Sequence, residues 1–421
     1  MKDNKKILVV GTTSDYIDWL RRETPGRILF LTDPSVRRVA KEQAPTADEE
    51  ILCDLTRLDS IRSTLQNHLD RWNMVLSGIA CFDCESLELA AFLAEDLALR
   101  FPSVQSIRTC RDKYAMSTSW HNSGVKTPRF ALAGTEDDAA DFMSKTGKTC
   151  VLKPLSGSGS ELVFLCETTS DCRSMARLLL DGVGKRRENR LYRAATDCFL
   201  VEEYVDGLEY SCDFLVTKQG VEILRFSRKI KASDAPFGTM MGYVLTTCTR
   251  EGLSKSRLEV LLGKAAGALG LTDALCMADF LVCDDEIIFL ELSPRPGGDC
   301  IPSLLHLATG FDILRFAVDF SENVSSEWPS FPADTSYVGL RLHAKKPGRI
   351  RAIRAEDLCQ DQRVKDIRLI RQAGHTVTLP PLDYDSWYLG HVLFKADAQT
   401  DVQGQCDSLR RLLSVEMEAA L

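Results

Sequence analysis

The stretch that most constrains this chain runs over residues 278–299. Residues 278–283 and 287–292 are apolar runs of strand length, and Asp284-Asp285 between them is a turn signal, so the segment reads as a β-hairpin. Each run is interrupted by one acid, Asp279 in the first and Glu291 in the second. Pairing through the turn brings the two carboxylates together. Two adjacent anions in a half-buried sheet are costly unless a cation lies between them. The hard cation that takes carboxylate oxygens and also tolerates phosphate is Mg2+. The chain then leaves through Pro294-Arg295-Pro296-Gly297-Gly298, where prolines stiffen the exit and glycines leave backbone N–H groups approachable. Either acid alone reads as a solvated surface charge. Carboxylates, cation, guanidinium and bare backbone in one place point to phosphoryl chemistry.

Three earlier segments fit the same chemistry. Residues 149–153 form a short apolar strand that ends in Lys153, and the loop Ser156-Gly157-Ser158-Gly159-Ser160 follows closely. Its glycines allow close approach, and its hydroxyls and N–H groups suit phosphate oxygens. No Gly-Lys-Ser/Thr follows, so it is not a P-loop. Residues 198–205 read as a strand interrupted by Glu202 and Glu203, and Asp206-Gly207 turns it into a second strand over 209–216. Such an edge suits an adenine on its backbone and a ribose on its carboxylates. Residues 221–230 are a further strand carrying Arg225, Arg228 and Lys229, and residues 231–242 read as a flexible loop able to close over a substrate. Lys113 sits at a helix start and, alone, reads as a solvated lysine.

At 421 residues the chain is expected to form two or three domains. Over residues 1–110 strands at 7–10, 27–31, 50–52 and 75–80 alternate with helices at 15–23, 36–43, 60–72 and 85–98, the pattern of a parallel α/β sheet. The Gly11 loop lacks the full G-x-G-x-x-G pattern, which argues against a dinucleotide site. Further on, a strand is expected at 162–166, a helix at 169–180, a polar loop at 181–193 and an amphipathic helix at 258–269. Helices at 301–309 and 312–320 lead to a linker at 321–335, strands at 337–343, 364–371 and 388–395, and a closing helix at 400–417. The net charge of −8 argues against a broad nucleic-acid surface, and no apolar run approaches the roughly 20 residues of a membrane span. The 15 cysteines, with no signal-peptide core at the start, read as reduced thiols of a cytoplasmic protein. Cys81-Phe82-Asp83-Cys84 is the one CxxC, and without a second pair it reads as buried or helix-start thiols.

Taken in order, Asp112-Lys113, Lys153-Pro154, the Gly/Ser loop, Val201-Glu202-Glu203-Tyr204-Val205, Gly207-Leu208-Glu209-Tyr210-Ser211, Asp279, Glu291 and Arg295 resemble the ATP-grasp superfamily. The ending Glu291-Leu-Ser-Pro-Arg-Pro-Gly-Gly-Asp299 looks most like its carboxylate–amine ligases, the L-amino-acid ligases (dipeptide synthases) among them. The resemblance implies an α/β ATP-grasp fold. Its parts would be an N-terminal parallel α/β (pre-ATP-grasp) domain over 1–110, a central lid over 111–205, a catalytic subdomain with the metal site over 206–325 and a small β-rich C-terminal subdomain over 335–421.

It implies ATP as a substrate, with Lys113, Lys153 and Ser156 to Ser160 at its phosphates, Glu202, Glu203 and Val205 at the adenine and Glu209 at the ribose. Asp279 and Glu291 would hold Mg2+. Ser293 stands where many members have Asn, which leaves one or two ions open. Arg295, with Lys153, would be catalytic, and Arg295, Gly297, Gly298 and Lys229 would contact substrate. The expected reaction joins a small carboxylate and an amine, amino acids by resemblance, through an acyl phosphate. The rivals are a biotin-carboxylase-like enzyme and an ATP-binding regulatory protein without catalysis. No nucleic acid or membrane partner is expected, and a homodimer is expected on base rate alone.

Overall fold

The computed structural model describes residues 4–193, 196–232, 234–249, 251–324, 336–397 and 401–418. Its first part alternates strand and helix: β1 (Lys5–Val10), α1 (Ser14–Glu23), β2 (Ile28–Thr32), α2 (Pro34–Val39), β3 (Glu50–Leu52), α3 (Leu58–Trp72), β4 (Val75–Ala80) and α4 (Leu87–Asp96), followed by α5 (Val104–Arg111). The strands are parallel in the order β3-β2-β1-β4. All of β2 and the last four residues of β1 are buried, as strands covered by helices on both faces must be. α2 starts two residues before the expected position because Asp33 caps it, accepting from Ser35 N–H at 2.9 Å, with Pro34 in the first turn. Strand order reverses between β1 and β4, so the crevice beyond their carboxyl ends, at Gly11 and Cys81–Ser86, is a topological switch point. Gly11 has φ +63°, and a side chain there would collide with Ser86.

The next part is a small antiparallel sheet, β5-β8-β6-β7, built from β5 (Phe130–Ala133), β6 (Cys150–Pro154), β7 (Phe164–Cys166) and β8 (Phe199–Glu203). Before it lies α6 (Lys113–Asn122), and α7 (Glu136–Thr146) and α8 (Thr169–Lys185) contribute to its core. Both α7 and α8 begin in capping boxes, Thr135 with Asp138 and Thr168 with Asp171. α8 runs five residues past the expected end, since Cys172, Ala176, Leu179 and Val183 continue one buried stripe. Gly182 sits inside it because a Cβ there would lie 2.7 Å from Leu162. β7 starts two residues late: Ser160 and Leu162 have φ +61° and +56°, which extends the preceding loop.

The remaining elements are β9 (Leu208–Thr217), β10 (Gly220–Lys231), β11 (Met240–Thr246), α9 (Lys255–Ala268), β12 (Ala274–Cys283), β13 (Glu286–Ser293), α10 (Ile301–Thr309), α11 (Ile313–Ser321), β14 (Tyr337–His343), β15 (Gly348–Arg354), α12 (Glu356–Gln360), β16 (Val364–Leu369), β17 (Thr376–Val377), β18 (Tyr388–Lys395), α13 (Val402–Leu412) and β19 (Ser414–Met417). One eight-stranded antiparallel sheet, β13-β12-β9-β10-β11-β14-β18-β16, runs through most of this part. One face of β9, β10, β12 and β13 carries Tyr210, Phe214, Phe226, Phe280 and Leu292, packed with Trp120 of α6 and Leu258 and Leu262 of α9. Strand alternation therefore sends Glu209, Ser211, Asp213, Lys229, Asp279 and Glu291 to the other face. The closing helix is shorter than expected. After Leu412 the alternating Ser-Val-Glu-Met forms β19 and pairs with β15. From residue 325 the expected linker lies outside the described residues, as do residue 233 of the expected 231–242 loop and residue 400 of the expected final helix.

Candidate active site

The hairpin forms through the predicted turn. Asp284 and Asp285 have φ +47° and +64°, the left-handed pair that matches strand twist in a two-residue hairpin. Asp279 and Glu291 are register partners across it. β9 lies on the other side of β12, with Ser211 opposite Asp279 and Glu209 opposite Leu281. Lys229 reaches over from β10, its Nζ 2.5 Å from Glu209 Oε1 and 2.8 Å from Asp279 Oδ2. Lys231 lies 2.8 Å from Glu209 Oε2, and Lys113 lies 3.9 Å from Glu291 Oε1.

These charges set one another's protonation. Burial disfavours the Lys229 ammonium, but Asp279 and Glu209 hold its pKa above the ordinary lysine value. Burial opposes ionisation of Glu209 as well, yet Lys229 and Lys231 bring it down to about 2. Burial pushes the Asp279 carboxyl up, with Lys229 pulling the other way. Burial acts likewise on Glu291, and there Lys113 and Arg111 prevail and lower it.

This face floors a cleft of about 930 Å³ whose opposite wall is the small sheet. The structure brings Lys113, Lys153, Gly157, Ser158, Gly159, Ser160, Glu202, Glu203, Val205, Glu209, Lys229, Asp279 and Glu291 to its lining. Asp112 caps α6 by accepting from Tyr114 and Ala115 N–H at 2.9 and 3.0 Å, which fixes Lys113 in the first turn. The Lys113 N–H donates to Leu155 O at 2.9 Å and ties that turn to the glycine loop. Lys153 and Glu202 form an ion pair across β6 and β8. Ser156 faces away from the cleft and donates to Leu191 O at 2.9 Å.

Asp279 and Glu291 suit Mg2+, which commonly takes one or two carboxylates together with phosphate oxygens. Ser293 follows Glu291 on the same strand face, and its buried Oγ has no hydrogen-bond partner, as an oxygen ligand awaiting a cation would. Among the described residues there is no larger cluster of His, Cys, Asp and Glu able to hold a metal by itself.

Arg295, Gly297 and Gly298 do not line the cleft but lie beyond its floor, toward the switch-point crevice. Arg295 borders a second cavity of about 440 Å³. Its Nε and Nη2 donate to Cys84 Sγ at 3.2 and 2.9 Å, and its Nη1 to Pro296 O at 2.7 Å.

Sequence reasoning misses what holds this segment. Arg225 and Asp213, both 0% exposed, form a two-pronged pair, Nε to Oδ2 at 2.7 Å and Nη2 to Oδ1 at 3.1 Å. Asp213 Oδ1 also accepts the Gly297 N–H at 2.8 Å. A Cβ at Gly297 would sit 3.1 Å from Asp213 and 3.2 Å from Arg225, so glycine lets the loop close on the pair. Further along, Arg341 of β14 lies 2.8 Å from Asp299 Oδ2, and Tyr388 of β18 donates to Asp299 Oδ1 at 2.9 Å. Tyr16 of α1 donates to the Asp299 carbonyl at 3.2 Å. The available signal is polar residues at every second position, 209-211-213 and 225-227-229.

Residues 146–303 match the ATP-grasp domain. The uncharacterized protein y4rH of Sinorhizobium fredii is 24% identical over 315 residues, 73% of this chain, and the match spans 61% of that relative's length. Among solved structures, an L-amino acid ligase from Bacillus licheniformis superposes with a TM-score of 0.80 at 17% identity, covering 100% of both chains. The biotin carboxylase domain of 2-oxoglutarate carboxylase from Hydrogenobacter thermophilus, solved with MgADP, ADP and bicarbonate, superposes with a TM-score of 0.69 at 14% identity, covering 98% of this chain and 90% of that one.

Proposed function

From the ATP-grasp domain at residues 146–303 and the ATP-grasp fold of the chain, we propose that this protein is an ATP-dependent carboxylate–amine ligase. It joins a small carboxylate to a small amine through an acyl phosphate, releases ADP and phosphate, and takes amino acids as its class of substrate. The observation that carries the reading is the Asp279–Glu291 pair on the floor of a cleft that also holds Lys113, Lys153 and the glycine loop. Likeness over the full length of an L-amino acid ligase supports this reading over the biotin-carboxylase-like rival. Fifteen unpaired cysteines fit a reducing compartment such as the cytoplasm.

In this reading ATP lies with its adenine against the β8 end, Glu202 to Val205, its ribose at Glu209 and its phosphates under residues 157–160. Lys113 and Lys153 reduce the repulsion between the phosphates and an incoming carboxylate. Asp279, Glu291 and Ser293 would hold Mg2+, which when bound supplies positive charge to the phosphates. A carboxylate oxygen attacks the γ-phosphorus, the bond to ADP breaks, and a poor leaving group becomes a good one. The amine then attacks the acyl carbon, Arg295 donates to the developing oxyanion, and phosphate departs. No protein nucleophile is required.

The test is ADP release from ATP and Mg2+ with single amino acids and pairs, products read by mass. Pair-dependent ADP formation with a mass equal to the condensed pair is expected. ADP formation that depends on bicarbonate and on no amine would favour the biotin-carboxylase-like rival. No release across amino acids and other small carboxylates and amines, despite ATP binding, would overturn the ligase reading.

A further inference from the structure

Arg295 presents an unusual partner. The Nε/Nη2 edge of a guanidinium is the fork that grips a carboxylate with two parallel hydrogen bonds. Here both donors converge on the Cys84 sulfur, at 3.2 and 2.9 Å, and a third N–H goes to Pro296 O. Of the five N–H donors of an arginine, that leaves one each on Nη1 and Nη2. Cys84 lies 211 residues before Arg295 in sequence, at the switch-point crevice of the N-terminal sheet, and is 7% exposed.

The turn that carries Cys84 is held from several sides. Asp83 Oδ1 accepts Ser86 N–H at 2.7 Å, Cys81 Sγ donates to Asp83 O at 3.3 Å, and Phe82 is buried against Tyr16. Arg190, from the segment after α8, donates to Ser86 Oγ at 2.8 Å and closes the turn from outside.

We infer that Cys84 is a positioning residue for Arg295: its thiol occupies the fork edge of the guanidinium and aims the remaining edge at the reacting acyl group. A thiol suits this task for a definite reason. Sulfur accepts hydrogen bonds only weakly, so it holds the fork edge in place while the guanidinium charge stays available to an anionic ligand. An aspartate in its place would bind the same edge more tightly but would neutralise that charge. Tighter pairing would therefore lower ligation. The inference rests on the ligase reading for Arg295, while the contact itself can be tested without turnover.

The experiment takes the full chain with Cys84→Ser, Cys84→Ala and Cys84→Asp. Cys84→Ser keeps an acceptor and is expected to retain kcat within about threefold. Cys84→Ala is expected to lose at least tenfold in kcat, and Cys84→Asp at least a hundredfold, each with the KM for ATP unchanged. In parallel, iodoacetamide labelling of Cys84 is followed by peptide mass in the wild type and in Arg295→Ala, with the exposed Cys359 as internal reference. Loss of the guanidinium is expected to change Cys84 labelling severalfold and leave Cys359 unaffected. Wild-type ligation by Cys84→Asp, or Cys84 labelling indifferent to Arg295, would overturn the inference. A chain that ligates nothing yet shows Arg295-dependent labelling would refute the ligase reading and leave the contact standing.

Discussion

Replacing Asp213 by Ala removes one half of an ion pair that water does not reach. Both Asp213 and Arg225 are 0% exposed, and Asp213 accepts two guanidinium N–H bonds and the Gly297 N–H. The substitution leaves Arg225 charged and buried, with Ser211 and Ser227 oxygens as its remaining partners. Breaking a buried pair from one side costs about 3–5 kcal/mol, most of it the desolvated charge left behind. Against a total stability of roughly 5–15 kcal/mol this is a large fraction. For a cooperative unit of about 200 residues it corresponds to a fall in Tm of roughly 10 °C. The assay is thermal unfolding of the wild type, Asp213→Ala and the double variant Asp213→Leu/Arg225→Met. The double variant removes both charges and is expected to recover most of the loss, because an apolar pair of similar volume is often neutral or better in such a place. It cannot restore the Gly297 contact, so ligation is expected to stay impaired while Tm returns. A Tm change under about 2 °C for Asp213→Ala would refute the reasoning, since a buried unpaired guanidinium cannot be that cheap.

Asp279→Asn and Glu291→Gln are each expected to lower turnover at least a hundredfold and to raise the Mg2+ concentration needed for half activity, read from ADP release against a Mg2+ titration. Lys153→Met is expected to weaken ATP binding at least tenfold by calorimetry and to lower Tm as well, because Glu202, 3% exposed, loses its cation. His343 is held neutral, its pKa lowered to about 3 by burial and then by Arg341. A histidine with a depressed pKa contributes stability that is present above its unfolded value of about 6.5 and is lost as pH falls toward the folded value. His343→Gln is therefore expected to flatten the fall in Tm between pH 6.5 and pH 4, and an unchanged slope would contradict the burial of that ring.

The hairpin acids are legible in the sequence because an acid in the middle of an apolar run of strand length is costly, and the cost doubles when the partner run carries an acid too. Only a bound cation or a neighbouring cationic side chain offsets it. Asp279 and Glu291 meet as that reasoning requires. The N-terminal parallel sheet is legible for a similar reason, since β and α periods alternate without interruption over residues 1–110. Arg225 is not legible. It stands in a strand with Arg228 and Lys229, and only register sets it opposite Asp213, while Arg228 falls on the opposite side of the same strand. Cys84 is silent for a stronger reason, because no local pattern announces a contact across 211 residues. The same limit applies to β14, which continues the large sheet by pairing with β11. The end of α13 is a competition between periods: residues 413–417 tolerate a helix, but the free edge of β15 supplies strand hydrogen bonds that a helix there would forgo.

The central claim is an acyl phosphate, and an isotope can follow it directly. A carboxylate substrate carrying a heavy-oxygen label is turned over with unlabelled ATP and an amine, and the phosphate, nucleotide and product are weighed. Attack on the γ-phosphorus predicts one heavy oxygen in the released phosphate and none in the nucleotide, since the carboxylate oxygen that forms the new bond leaves with phosphorus. Label in AMP, or released phosphate free of label while product forms, would contradict the account.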